Sequence, residues 1–218
     1  MPISFERSDK SIASSITAKD YSALGTTGLI VAYVATSAAG TFADNSTNTW
    51  AQDVNVNAGG GCSFFTFYCV NPTVTSSMDF TYAGGSFYSI VTMGFKVVSA
   101  FDVHSSANAP GGFSPGSLTP TAPNDGTSLF VCGLAGNITI PTIDSSFTRA
   151  NFNDYGAGVN FSSAGAYFIQ VASGSKNPTW TPTTGDGGTA MQVFAPGAGG
   201  GGGATDLRLG FNPVARLV

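Results

Sequence analysis

Short apolar and aromatic runs recur along the chain, separated by clusters of Gly, Asn, Pro and Ser, and this alternation of runs and breaks predicts strands joined by turns. The clearest run is Cys62-Ser63-Phe64-Phe65-Thr66-Phe67-Tyr68-Cys69-Val70, framed by Gly59-Gly60-Gly61 and Asn71-Pro72. Its nine aromatic and β-branched-rich residues predict a largely buried strand between two turns. Residues 28–35 are almost wholly apolar and predict a central strand covered on both faces. Over residues 49–56, alternation puts Trp50, Val54 and Val56 on one side, although Gln52 breaks the pattern. Met78-Asp79-Phe80-Thr81-Tyr82 alternates cleanly, and an apolar strand follows over residues 87–95.

Between residues 99 and 127 the pattern stops, and Pro, Gly, Ser and Asn clusters predict a long loop. Strands resume over 128–135, with a short piece at 138–140, and then over 147–152, 166–172, 179–181 and 190–195. Short connections and the lack of a helical period between strands imply antiparallel pairing. The expected fold is an all-β antiparallel sandwich of jelly-roll or Greek-key type, with nine to ten strands and extended terminal segments. Residues 1–25 are expected as an arm or edge segment, and 26–195 as the sandwich. The glycine-rich stretch 196–204 reads as a tether, because fixing glycine costs so much backbone entropy. Residues 205–218 are apolar for a chain end, and Leu207, Leu209, Phe211, Val214 and Leu217 are expected to dock on the chain's own domain or on a neighbour.

Charge narrows the function. Only 9% of the residues are charged while 42% are hydrophobic, so a sizeable core sits beneath an uncharged surface of Ser, Thr, Asn and Gly. Eight basic residues against twelve acidic ones leave a net charge of −4, with no basic stripe for nucleic acid or an anionic membrane. No window reaches the length of apolar residues needed to span a membrane, and residues 1–10 have no apolar core of the kind a secretory signal carries. So few charges favour assembly as the route to solubility.

Three cysteines leave at least one thiol free. Cys62 and Cys69 would lie about 23 Å apart on one extended strand and face opposite sides, far beyond disulfide reach. Only Cys132 could pair with either, and three buried reduced thiols are the simpler expectation.

Catalytic and metal motifs are missing. His104 is the single histidine, in Phe101-Asp102-Val103-His104-Ser105-Ser106, and no strained nucleophile turn accompanies it. The one glutamate is Glu6, and the aspartates are scattered singly, so no glycosidase pair is visible. One histidine and no Cys-x-x-Cys spacing give no zinc arrangement, and Gly199–Gly203 lacks the Lys and Ser/Thr of a phosphate loop. No cofactor is expected, and the chain reads as a non-enzyme. The candidate ligand residues are aromatic side chains among polar neighbours that could stack on sugar rings: Trp180, Phe101 and Phe113, with His104 beside them.

The residues Asp44-x-x-x-Asn48-Thr49-Trp50, the aromatic strand ending Tyr68-Cys69-x-Asn71-Pro72, the Phe80-Thr81-Tyr82 strand and the glycine-flanked apolar strand after it resemble β-sandwich modules of structural proteins of tailed bacteriophages. The resemblance covers residues 25–100. It implies a virion component, assembled in the host cytoplasm and placed on the head or tail surface as a decoration protein, fibre or tail protein. Its partners would be copies of itself, other virion proteins and a host surface glycan. The alternative is a free carbohydrate-binding or glycan-cleaving β-sandwich.

Overall fold

The computed structural model describes residues 2–109, 111–121, 127–139, 142–144, 146–156, 160–181 and 185–197. Among them lie fifteen strands: β1 Ser4–Ser11, β2 Ser15–Lys19, β3 Gly28–Thr36, β4 Thr41–Asp44, β5 Ala51–Gly59, β6 Cys62–Val70, β7 Met78–Ala83, β8 Ser89–Lys96, β9 Val98–Ala107, β10 Leu129–Gly136, β11 Thr142–Ile143, β12 Thr148–Asn153, β13 Ser162–Ile169, β14 Trp180–Thr181 and β15 Gly187–Pro196. The protein is an all-β antiparallel sandwich. One five-stranded sheet runs β1-β8-β3-β6-β5 and the other β12-β13-β10-β15-β9.

Each sheet is also covered on its outer face. A three-stranded sheet, β2-β7-β4, lies over the first, and irregular chain with the two-stranded ribbon β11-β14 lies over the second. This layering explains why β3 is buried at every position. Leu29, Val31, Tyr33 and Ala35 face the second sheet, while Ile30, Ala32 and Val34 face the three-stranded cover. Likewise β10 turns Leu129, Val131 and Ala135 inward and Phe130, Cys132 and Leu134 outward under the ribbon. A strand apolar on both faces needs partners on both.

Two sites show how closely the layers approach. A Cβ on Gly133 would lie 2.7 Å from the Phe64 ring and 2.9 Å from the Tyr33 ring, so only glycine lets those rings pack against β10. The β5–β6 hairpin turns through Gly59, Gly60 and Gly61, all with positive φ. All three cysteines are free and buried, Cys132 included.

Several expectations change. The loop expected from residue 99 begins only after Ala107, because Val98–Ala107 is an edge strand, β9. Its polar residues, Ser99, His104 and Ser106 exposed and Asp102 and Ser105 half-buried, hide the alternation of a strand. Residues 4–11 form the edge strand beside β8 and residues 15–19 pair with β7, so most of the first 25 residues are built into sheets. Fifteen strands exceed the expected nine to ten, the additions being short or polar: β1, β2, β4, β9 and β11. Residues 138 and 139 lie outside any strand, and Ile138 is instead a buried anchor of the outer cover. The expected tether 196–204 begins inside the sheet, since Pro196 ends β15, and residues 198–218, with the rest of the tether and the expected docking side chains Leu207, Leu209, Phe211, Val214 and Leu217, lie outside the described residues.

Candidate functional site

The two edge strands β5 and β9 lie beside each other at one open side of the sandwich, with β15 between them and the interior. A register shift between Gln52 and Val54 makes Asp53 the extra residue of a bulge in β5. The bulge re-aims a side chain that regular pairing would send elsewhere. Asp53 turns inward, its side chain only 7% exposed. One carboxylate oxygen accepts from His104 Nδ1 at 2.6 Å, and the other from Gln192 Nε2 at 2.9 Å. His104 and Gln192 are opposite one another across β9 and β15, so both reach Asp53 from the same face. A β5 carboxylate thus ties the first sheet to two strands of the second.

Aromatic rings surround this tie. Phe101 stacks on Tyr68 at 5.2 Å and 10°, meets Phe194 edge-on at 5.7 Å, and lies 6.0 Å from the His104 ring. Burial, with the Asp53 charge adding to it, raises the Tyr68 hydroxyl above its ordinary pKa. Tyr33, fully buried on the neighbouring strand, is raised well above its ordinary value, first by burial, then by Cys132 and Asp53. A second bulge, between Val193 and Phe194 on β15 and Val103 and Phe101 on β9, leaves Asp102 as the extra residue. Asp102 accepts from the Thr121 amide at 2.9 Å and from the Thr121 hydroxyl, fastening the segment that follows β9.

His104 and Asp53 have the spacing of a base and its orienting carboxylate, yet no nucleophile completes them among the described residues. The hydroxyl of adjacent Ser105 is buried without a hydrogen-bond partner, so it is not bonded to the imidazole. Nor do three or more His, Cys, Asp or Glu side chains among the described residues converge in a metal-holding group.

The four aromatic and histidine candidates separate into two pairs. Phe101 and His104 meet at the β5–β9 edge, His104 with 47% of its side chain exposed. Trp180 and Phe113 are instead buried together under the outer cover of the second sheet, at 0% and 5% exposure. The Trp180 amide donates to Phe113 O at 2.9 Å, and its indole N–H points at Cys132 Sγ, 3.2 Å away. They offer no free ring face to a sugar, because the outer face of β10 requires a cover and they supply it.

Asp53, Tyr68 and Gln192 escaped sequence reasoning. The one available signal was Gln52, whose break in the alternation marks the bulge that turns Asp53 inward. The motif Asp44-x-x-x-Asn48-Thr49-Trp50 proves to be a turn clasp. Asp44 accepts from the Ser46 amide at 2.7 Å, from Asn48 Nδ2 at 3.0 Å and from Trp50 Nε1 at 2.7 Å.

The concavities among the described residues include three. A cavity of about 70 Å³ is lined by Pro2, Ile3, Thr127, Ile169, Gln170, Val171 and Pro196. Two open grooves, of about 350 Å³ and 330 Å³, share Gly25 and Thr26. None of the three is lined by an acidic side chain or by histidine. No protein-family model, curated protein or solved structure matches the chain.

Proposed function

We infer that the chain is a non-enzymatic structural subunit of an assembled particle, of the kind that the resemblance over residues 25–100 implies for the surface of a phage head or tail. The observation that carries this reading is the use made of the acidic side chains. Asp44 clasps a turn, Asp53 ties two sheets, Asp102 fastens the chain after β9, and Asp144 accepts from the amides of Ser146 and Thr179. Groups that would do chemistry in an enzyme hold chain to chain here.

The edges of the sheets support the same reading. β1, β5, β9 and β12 each carry a register shift against their inner neighbours, whereas the pairings of β3 with β6 and β8, and of β10 with β13 and β15, run without one. Bulged edges discourage indiscriminate strand addition. A subunit held at high local concentration needs that protection, and the sparse charge gives little other.

The test is light scattering and electron microscopy of the full chain, beside a chain ending at residue 197. A closed symmetric oligomer from the full chain, and a folded monomer from the truncated one, are expected. A full chain that stays monomeric at every concentration would overturn the reading.

One observation favours a second reading, a carbohydrate-binding module: Tyr68, Phe101 and His104 form a row of rings at an accessible edge. Titration with a polysaccharide panel tests it. Binding abolished by Phe101→Ala with the fold retained supports it, and no binding by the full chain removes it.

A further inference from the structure

At the end of β15 the chain is pinned. The Gly197 amide donates to Val97 O at 2.8 Å, and the Ser99 hydroxyl donates to Pro196 O at 2.7 Å. The departure point of the segment beyond residue 197 is therefore fixed, and it lies beside the 70 Å³ cavity, because Pro196 forms part of the cavity wall. The other walls are mostly apolar, Pro2 and Ile3 from the start of the chain, Ile169 at the end of β13 and Val171 just beyond it, and the polar residues Thr127 and Gln170 complete them. Val171 is 85% exposed, an apolar side chain at the cavity mouth with no cover among the described residues.

We propose that this cavity is the receptor for residues 205–209 of a neighbouring copy of the chain, with Leu207 or Leu209 seated in it. The proposal rests on the assembly reading above and names the surface through which assembly occurs. Size selects the anchor. A dry cavity of about 150 Å³ holds a benzene ring, so one of about 70 Å³ accepts an aliphatic side chain and rejects Phe211. In an extended segment, residues two apart share a face. One of Leu207 and Leu209 can therefore enter the cavity while the other covers Val171.

Reach selects the neighbour over the same chain. Residues 198–204 span at most about 25 Å when extended, whereas the chain's own cavity adjoins its departure point. A return into it would need a turn of only about two to five residues and would leave the glycines as slack.

Two full-length single variants, Val171→Cys and Leu209→Cys, decide the matter when mixed and oxidised without denaturant. The native thiols Cys62, Cys69 and Cys132 are buried and do not compete. A disulfide-linked heterodimer in the mixture, several-fold above the homodimer background of either variant alone, is expected. A double variant that forms only an intrachain disulfide overturns docking between copies. No cross-link, with oligomers still seen by light scattering, overturns this cavity as the receptor while leaving the assembly reading intact. Monomers throughout overturn both. As a second measurement, Leu207→Asp with Leu209→Asp is expected to weaken self-association at least tenfold with an unchanged circular dichroism spectrum, and unchanged association counts against the proposal.

Discussion

The two outer covers of the sandwich do the same task by different means. Over the first sheet, β2-β7-β4 is a small sheet whose main-chain groups bond to one another, and its apolar side chains interlock with the sheet below. Phe42 lies 4.6 Å from Trp50, 5.5 Å from Phe67 and 6.1 Å from Phe80. Over the second sheet, the described residues hold only the two-residue strands β11 and β14 and one isolated bridge between Leu118 and Lys176. Side chains complete the work there, with Asp144 taking the amides of Ser146 and Thr179, and Trp180 filling the space over Cys132. A cover held by a ladder is part of the cooperative core. A cover held by scattered side-chain contacts is a separate and weaker unit.

Truncating the central ring of each cover separates them most sharply. Phe80→Ala and Trp180→Ala each remove a fully buried ring and are each expected to cost about 3–5 kcal/mol locally. Phe80→Ala should lower the denaturation midpoint of the whole domain. Trp180→Ala should first loosen its own cover, read as faster hydrogen exchange at the amides of Leu118, Lys176 and residue 180, with a smaller change at β3. If both variants lower every amide's protection equally, the covers are not separable and the comparison fails.

Next in size is Gly133→Ala, at the sheet between the covers. Its methyl would collide with Phe64 and Tyr33, and the overpacking is expected to cost about 1–3 kcal/mol. Thermal unfolding should report it as one cooperative shift, since no cover can absorb it. A smaller contrast comes from the two aspartates. Asp44→Ala leaves the Trp50 indole N–H and the Asn48 side chain short of an acceptor beside the ladder-held cover, at about 1–3 kcal/mol. Asp144→Ala acts at more exposed bonds, and about 0.5–1.5 kcal/mol is expected. Equal losses in urea titrations would remove the distinction.

The same contrast governs what the sequence disclosed. Of the ladder-held cover, β7 was legible because Met78-Asp79-Phe80-Thr81-Tyr82 alternates as a one-sided strand must, whereas the short strands β2 and β4 were not. The other cover reads as loop apart from short strands at 138–140 and 179–181, and its Trp180 and Phe113 as open to ligand, because an isolated aromatic between prolines and threonines carries no period to say which way it faces. Central strands β3, β6 and β10 were readable from continuous apolar runs. Edge strands β1 and β9 were not, since each presents polar side chains to water along one side and bulges break their period. The β5–β9 site was half visible. Phe101 and His104 stand close in sequence, but Asp53 and Gln192 reach them only through the packing of two sheets.

The mildest test uses the buried thiols as reporters of where the protein opens. Burial raises the Cys62 thiol to about 12 and Cys69 to about 11, and it raises Cys132 to about 12 although Trp180 and Thr189 hydrogen bonds act in the other direction. Because the folded pKa values lie above the ordinary thiol value, the folded state holds its protons longer. The associated stability is fully present below the unfolded thiol pKa and is lost as pH rises from there toward 12. Unfolding midpoints should therefore fall on the alkaline side and stay unaffected by these groups near neutrality. Alkylation at constant pH then distinguishes the regions. Cys132 lies beneath the side-chain-held cover and Cys62 between the two large sheets. Trp180→Ala is expected to speed modification of Cys132 while leaving the Cys62 rate unchanged, read by mass spectrometry of timed samples. Parallel acceleration of both thiols would mean that the side-chain-held cover opens only when the whole sandwich does.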